Sequence, residues 1–291
     1  MRDIISNMTY KDFSAGFCTE NAVNIGEKWL GYKDKEYNFT VHSVFNKVIN
    51  ISAGDQMLSI VASGMGGSSA FLSLPGKTVD LEVAAGDPCV LDSGRLVLGK
   101  NTINFDGVPV WKGPISKEYK HKKIKKENIA AFKAVLDRKA APKSVWRSIN
   151  CGAESRFQDH NLIRKLRENP SLARNLIGLG LGLTPAGDDM ILGFLAIVNH
   201  CCPDRQLSEN SDFVGLLRKA VSDSLQNTTD ISKIILANAL DCDYHEFVQN
   251  CIRDLCQGEM EDIYISASSL INIGATSGSD ITCGMYFGMI D

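Results

Sequence analysis

The sequence predicts an α+β protein, with a β-rich N-terminal domain of barrel or sandwich type followed by an all-α domain. Two observations carry that assignment. Up to about residue 115, short apolar runs are separated by Gly, Pro, Asn and Asp, at the close and regular spacing of a barrel or sandwich. Beyond residue 122 the apolar residues recur with the helical period, and almost nothing alternates with period two. The expected division is residues 1–118 for the β-rich domain and 119–291 for the helical domain.

In chain order, Thr19 reads as the cap of a short helix over about Glu20 to Leu30. Strands are then expected at Asn38 to Phe45, Met57 to Ala62, Ala70 to Leu74, Val79 to Val83, Cys89 to Leu91, Arg95 to Leu98 and Asn101 to Phe105. Turn residues lie between them: Ala53-Gly54-Asp55, Pro75-Gly76, Gly86-Asp87-Pro88, Asp92-Ser93-Gly94 and Asp106-Gly107. The run Gly64-Met65-Gly66-Gly67-Ser68 reads equally as a hairpin turn or as a loop that a ligand approaches. Lys117 to Lys126 is strongly basic and reads as a solvated linker or as an anion-facing edge.

In the second half, Glu127 to Arg138 places Ile129, Phe132, Val135 and Leu136 on one helical face. Helices are expected next at Arg156 to Arg167 and Leu172 to Ile177, with Pro170 in a tolerated first-turn position. Further helices are expected at Asp188 to His200, Phe213 to Gln226, Ile231 to Leu240, His245 to Gln257, Met260 to Asn272 and Ile281 to Ile290. His200 ends its helix as a C-terminal cap.

Composition excludes several function classes. Of the 291 residues, 44% are hydrophobic and 22% charged, so a core forms without staples. The net charge of −3 gives no support for a nucleic-acid partner. The longest apolar stretch, Met190 to Val198, is too short for a bilayer, so no membrane partner is expected. The N-terminus has no signal-like apolar region, and the expected location is cytoplasmic. Nine cysteines, an odd number with no CxxC, fit buried apolar side chains rather than a zinc framework. The five histidines have no metal-like spacing, and no metal ligands are assigned.

The chemistry concentrates in two glycine-rich helix starts. The first is Gly182-Leu183-Thr184-Pro185-Ala186-Gly187-Asp188-Asp189, and the second is Gly274-Ala275-Thr276-Ser277-Gly278-Ser279-Asp280. Each has a glycine two residues before a threonine, and a glycine four residues after its last aspartate (Gly193, Gly284). Glycine lets a ligand approach the backbone, and a helix N-terminus favours phosphate or carboxylate. Gly182, Thr184, Gly187, Asp188, Gly274, Thr276, Ser277 and Gly278 are therefore the expected substrate-binding residues. At another helix start, a Thr or Asp of Asn227 to Ser232 caps the helix, or the three hydroxyls of Thr228, Thr229 and Ser232 extend the same polar wall.

The aspartates Asp188, Asp189 and Asp280 repel a bare anion. They cap helices, or hold a divalent cation such as Mg or Mn, or accept hydrogen bonds from a ligand NH₂ with one acting as a general base. No cofactor is certain. Gly193 and Gly284 permit close helix packing, which would bring Asp189 and Asp280, the expected catalytic pair, to one ligand.

The run Gly178-Leu179-Gly180-Leu181-Gly182-Leu183-Thr184-Pro185-Ala186-Gly187-Asp188-Asp189 resembles the signature of the AllH subunit family of oxamate carbamoyltransferase. Leu181 stands where that family has proline, and Ala186 where it has serine. Thr228-Thr229-Asp230-Ile231-Ser232 is similar to the family's Thr-Thr-x-x-Ser stretch. Ile273-Gly274-Ala275-Thr276-Ser277-Gly278-Ser279-Asp280 is similar to a third segment, with Ala275 replacing histidine. His42-Ser43-Val44-Phe45 and Asn50-Ile51 match a weaker pattern.

The resemblance implies a subunit that works with partner carbamoyltransferase subunits on a small anionic substrate, in purine or allantoin breakdown. The implied reaction interconverts oxalurate plus phosphate with oxamate plus carbamoyl phosphate. Two other readings stay open: a metal-dependent hydrolase on the aspartate cluster, and a non-catalytic subunit that binds small anions.

Overall fold

A computed structural model describes residues 18–77, 79–113, 123–151, 161–200 and 211–290. The chain divides into two compact units, Met1–Gly113 and Pro114–Asp291, each with its own apolar core. The expected signal-free N-terminus, most of the basic run, and the first half of the helix expected from Arg156 lie outside the described residues.

The first unit is one curled mixed sheet of ten strands rather than two stacked sheets. In chain order these are β1 (Cys18–Asn21), β2 (Asn24–Gly26), β3 (Tyr37–Val44), β4 (Val48–Ala53) and β5 (Gln56–Val61). They continue with β6 (Phe71–Ser73), β7 (Pro88–Asp92), β8 (Arg95–Leu98), β9 (Asn101–Asn104) and β10 (Val110–Trp111). The spatial order is β1-β9-β8-β7-β3-β4-β5-β6-β2-β10. Tight turns set the antiparallel pairs. Ser93 and Gly94 both take positive φ (47° and 77°) between β7 and β8, as a two-residue hairpin loop requires. Ile49, Ile51, Ile60, Leu72, Leu91 and Leu96 fill the interior of the sheet.

Four expectations are corrected here. Glu20 to Leu30 is not a helix. Asn21, Val23 and Asn24 are poor helix formers, and the segment instead supplies β1, β2 and a 3₁₀ turn at Glu27–Tyr32. That turn buries Trp29, whose Nε1 donates to the Ala70 carbonyl at 2.9 Å and whose ring meets Phe105 edge-on. Val79 to Val83 buries Val79 and Leu81 but pairs with no strand among the described residues, and the Val79 amide donates to the Asn46 carbonyl. Gly64 to Ser68 is no hairpin turn, because the strands it joins, β5 and β6, run parallel. Finally, β4 was not expected, although Ile49, Ile51 and Ala53 alternate with Asn50 and Ser52 as a strand requires; Asn50 is buried with the isoleucines.

The second unit is helical. Its helices are α1 (Lys126–Lys139), α2 (Val145–Cys151), α3 (Asn161–Lys165), α4 (Ala173–Leu176), α5 (Ala186–His200) and α6 (Ser211–Ser224). They are followed by α7 (Asp230–Leu240), α8 (Glu246–Gln257), α9 (Met260–Ile271) and α10 (Ser277–Met289). Pro170 opens a 3₁₀ turn capped by Asn169, and the His200 ring bonds the Ala196 carbonyl one turn back. α2 is the helix that the periodicity missed.

At the centre, α5 and α10 lie against each other, buried on nearly every face. They run in the same direction, since Gly284 faces Met190 and Gly288 faces Phe194 and Ile197. A β-carbon on Gly193 would sit 2.0 Å from the Ile281 carbonyl oxygen, and one on Gly284 would sit 2.0 Å from that of Met190. Both glycines are therefore where the two backbones touch.

Candidate functional site

The parallel packing of α5 and α10 brings both glycine-rich starts to one end of the unit. The hydroxyls of Thr184 and Ser277 meet there at 2.8 Å. Both also bond the carboxyl of Asp189, which lies beneath them at 4% exposure. Its other oxygen, Oδ2, is buried with no hydrogen-bond partner among the described residues. Burial, and then the nearby Asp280 carboxyl, hold Asp189 well above the usual carboxylate range.

Asp280, 1% exposed, sits in the first turn of α10. Its Oδ1 accepts from the Val145 amide at 2.8 Å, and the Thr276 hydroxyl also bonds it. The neighbouring Ser279 Oγ accepts from the Ala141 amide at 2.9 Å. These two side chains hold the start of α2. Burial pushes the Asp280 carboxyl up to about 7, against the pull of those two hydrogen bonds.

Asp188 faces elsewhere. Successive residues on a helix point about 100° apart, so Asp188 turns away from α10. It accepts from the Gly178 amide at 2.7 Å and from the Thr228 and Ser232 hydroxyls. Burial raises its carboxyl despite these donors. Thr229 caps α7 by accepting from the Ser232 amide, and donates to the Leu183 carbonyl at 2.5 Å. Asp188, Thr228 and Thr229 therefore fasten the glycine-rich loop to the start of α7. Their polar groups are engaged inside the chain.

The glycines divide in the same way. Gly187 and Gly278 lie where a β-carbon would fall 1.9 Å from the carbonyl oxygens of Leu176 and Leu270, so they serve backbone packing. Gly182 (φ 95°) and Gly274 (φ 61°) are exposed and left-handed, and open space surrounds Gly182. The amides of Gly187, Asp188 and Asp189 donate to the carbonyls of Leu179 and Pro185, and those of Gly278 and Asp280 to Ile273 and Thr276. The groups left facing outward are the hydroxyls and the loop backbone rather than a fan of free amides.

Sequence reading missed Ser279 and the Ala141–Val145 turn. The Ala140-Ala141-Pro142-Lys143-Ser144 run carries a Pro and a Ser just before α2, a helix-start signal that would have found the turn. Among the described residues, no group of three His, Cys, Asp or Glu side chains is arranged to hold a metal ion. The three aspartates point to separate partners, so this arrangement does not supply the joint ligand set that a metal-dependent hydrolase would need. Also among the described residues, no helix is long and apolar enough to cross a membrane.

No solved structure matches the chain. Two family models do: that of the oxamate carbamoyltransferase subunit AllH over residues 176–289, and that of the AllH family N-terminal domain over residues 20–110. The first spans both glycine-rich helix starts, α7 and the α5–α10 contact, and the second spans nearly all of the ten-stranded sheet. With most of its length matched by these two models, the chain belongs to the AllH family of oxamate carbamoyltransferase subunits.

Proposed function

We propose that this subunit binds a small anionic amide or phosphate substrate of carbamoyl transfer over the starts of α5 and α10, and that Asp189 is its acid–base group. The observation that carries this reading is the buried Asp189 carboxyl, with Oδ2 unpartnered beneath a roof of two hydroxyls. An unpaired buried carboxyl oxygen is costly unless something else meets it. An amide NH of the substrate is a fitting donor.

In the direction of oxalurate breakdown, a phosphate oxygen forms a bond to the carbamoyl carbon, and the bond from that carbon to the oxamate nitrogen breaks. The departing nitrogen needs a proton. A carboxyl held neutral by burial supplies it, and in the reverse direction takes it back. Asp280 acts as a second buried carboxyl that keeps Asp189 protonated. A protonated Asp189 also removes the repulsion that an ionised carboxyl there would exert on an anion. Thr184, Thr276, Ser277 and the open backbone at Gly182 and Gly274 are assigned to substrate contact. Asp188, Thr228, Thr229, Gly187 and Gly278 are assigned to holding the loop. Partner subunits, acting in the cytoplasm, complete the enzyme.

The test is phosphate release from carbamoyl phosphate plus oxamate, measured with the partner subunits present. Asp189→Asn should fold and assemble but lose at least 100-fold in rate, the usual scale of general acid–base assistance. Asp188→Asn should chiefly lower thermal stability. Full turnover by the Asp189→Asn assembly would remove Asp189 from the chemistry.

A further inference from the structure

A second polar constellation lies at the other end of α10, far along the helix from Asp189 and Asp280. A cavity of about 210 Å³ opens there, lined by Lys133, Trp146, Asn150, Arg164, Tyr286, Phe287 and Ile290. Its volume is about seven times the share of one water in the liquid, enough for a molecule of roughly ten heavy atoms. Its walls are aromatic. Trp146 meets Tyr286 edge-on at 5.2 Å and Phe287 at 6.3 Å, and Tyr286 meets Phe287 at 5.8 Å.

Two cations sit on those walls, and they differ. Lys133 lies over the Trp146 ring, but its charge is answered by Asp137 at 2.7 Å. Asp137 also takes the Trp146 indole N–H on its other oxygen at 3.1 Å. Arg164, on α3, stacks over Phe287 with its guanidinium carbon 5.7 Å from the ring centre. Among the described residues it has no carboxylate partner and no hydrogen-bond acceptor. The ends of α2 and α10 place carbonyls of partial negative charge nearby, yet among the described residues none accepts a hydrogen bond from the guanidinium. Asn150 donates to the Trp146 carbonyl at 2.9 Å, which leaves its side-chain oxygen as an acceptor at the rim.

A guanidinium fork beside flat aromatic walls matches one ligand chemistry well. A carboxylate fits the fork with two parallel hydrogen bonds, and a planar body attached to it fits against the aromatic lining. We propose that this cavity is a second ligand site of the helical unit, which takes a small planar carboxylate on Arg164. The proposal does not depend on the role assigned to Asp189.

The probe is benzoate, with benzamide as its uncharged match. Trp146 is the reporter and belongs to the isolated cavity wall, so its fluorescence should change saturably on titration of the full-length protein. Calorimetry gives the same constant independently. For a ligand of this size a dissociation constant of about 1 mM is expected. Benzamide and Arg164→Met should each weaken binding at least tenfold, and added salt should weaken benzoate alone. Asp189→Asn should leave the constant unchanged. Asn150 is exposed at the rim, so Asn150→Trp fills the cavity without disturbing a buried position, and should abolish binding even if Arg164→Met is poorly folded. Absence of a saturable response, or equal binding by the wild type and Asn150→Trp, would overturn the proposal.

Discussion

Replacing Gly193 by alanine places a methyl group where α5 touches α10. The added β-carbon would lie 2.0 Å from the Ile281 carbonyl oxygen and 2.8 Å from the Met285 amide nitrogen, against a practical minimum of 3.0 Å. Both obstacles are helix backbone, so no side chain can swing aside. The helices must separate by roughly 1 Å, and a gap of that size forfeits a quarter to a half of each affected dispersion contact. Overpacking of this kind costs about 1–3 kcal/mol or somewhat more. Alanine returns about 1 kcal/mol through its better helix propensity. The net expectation is a loss of about 2 kcal/mol, or roughly 5 °C in the melting temperature of a unit this size.

Gly215 provides the opposing control. It is exposed in α6, and nothing lies within 4 Å of the position its β-carbon would take. Gly215→Ala should therefore stabilise by up to about 1 kcal/mol. The two substitutions are chemically identical and opposite in predicted sign. Urea and thermal unfolding followed by circular dichroism measure both. Gly193→Ala and Gly284→Ala combined should cost less than the sum, since the first separation relieves the second clash. A Gly193→Ala protein as stable as Gly215→Ala would refute the close helix contact, and with it the juxtaposition of Asp189 and Asp280.

Three other outcomes are expected. The Asp280 carboxyl titrates near 7 in the folded protein against 3.8 in the reference state, so it favours folding fully below about pH 4 and loses that contribution as pH rises through 7. Asp280→Asn keeps an acceptor for the Val145 amide, and should flatten the fall in stability between pH 4 and 7 and stabilise the protein at pH 8, by an amount on the order of a few kcal/mol at most. Asp188→Ala leaves the Gly178 amide without its acceptor, and should cost about 1–3 kcal/mol in urea unfolding, whereas Asp188→Asn should cost less. Burial pushes the thiols of Cys89 and Cys251 up to about 12 and raises Cys283 as well, so peptide mapping after native iodoacetamide treatment should find all three unlabelled.

Much of the helical unit was legible because its two central helices announce themselves alike. The matching Gly, Thr, Asp and Gly positions of 182–193 and 274–284 pointed to paired helix starts and to close packing at Gly193 and Gly284. The separate orientations of Asp188 and Asp189 were not legible, because only the neighbours of a helix decide which of two adjacent side chains meets a loop and which meets another helix. In the sheet, β3, β7 and β8 followed from alternation and turn residues. β4 carried the same signal, Ile49, Ile51 and Ala53 alternating with Asn50 and Ser52, and could have been expected on it. β1 and β2 looked helical until partners distant in sequence claimed their backbone groups, Asn101 to Asn104 for β1 and Leu72 to Ser73 for β2. The Arg164 cavity draws its walls from four helices between residues 133 and 290, and no local pattern could have indicated it.

The ties that Ser279 and Asp280 make to the Ala141 and Val145 amides span 138 and 135 residues. They set an order of events during synthesis. Until the segment around residue 289 has left the ribosome, α5 lacks the partner that covers its closest-packed face, and α2 lacks the side chains that hold its start. Contacts so far apart form slowly, because a long loop must close before they give any return. A nascent chain of this unit therefore carries its most apolar helix partly uncovered from about residue 200 until the last described helix is made, the stage at which aggregation or chaperone capture competes with folding. The juxtaposition of Asp189 and Asp280 comes into being only with the last helix described.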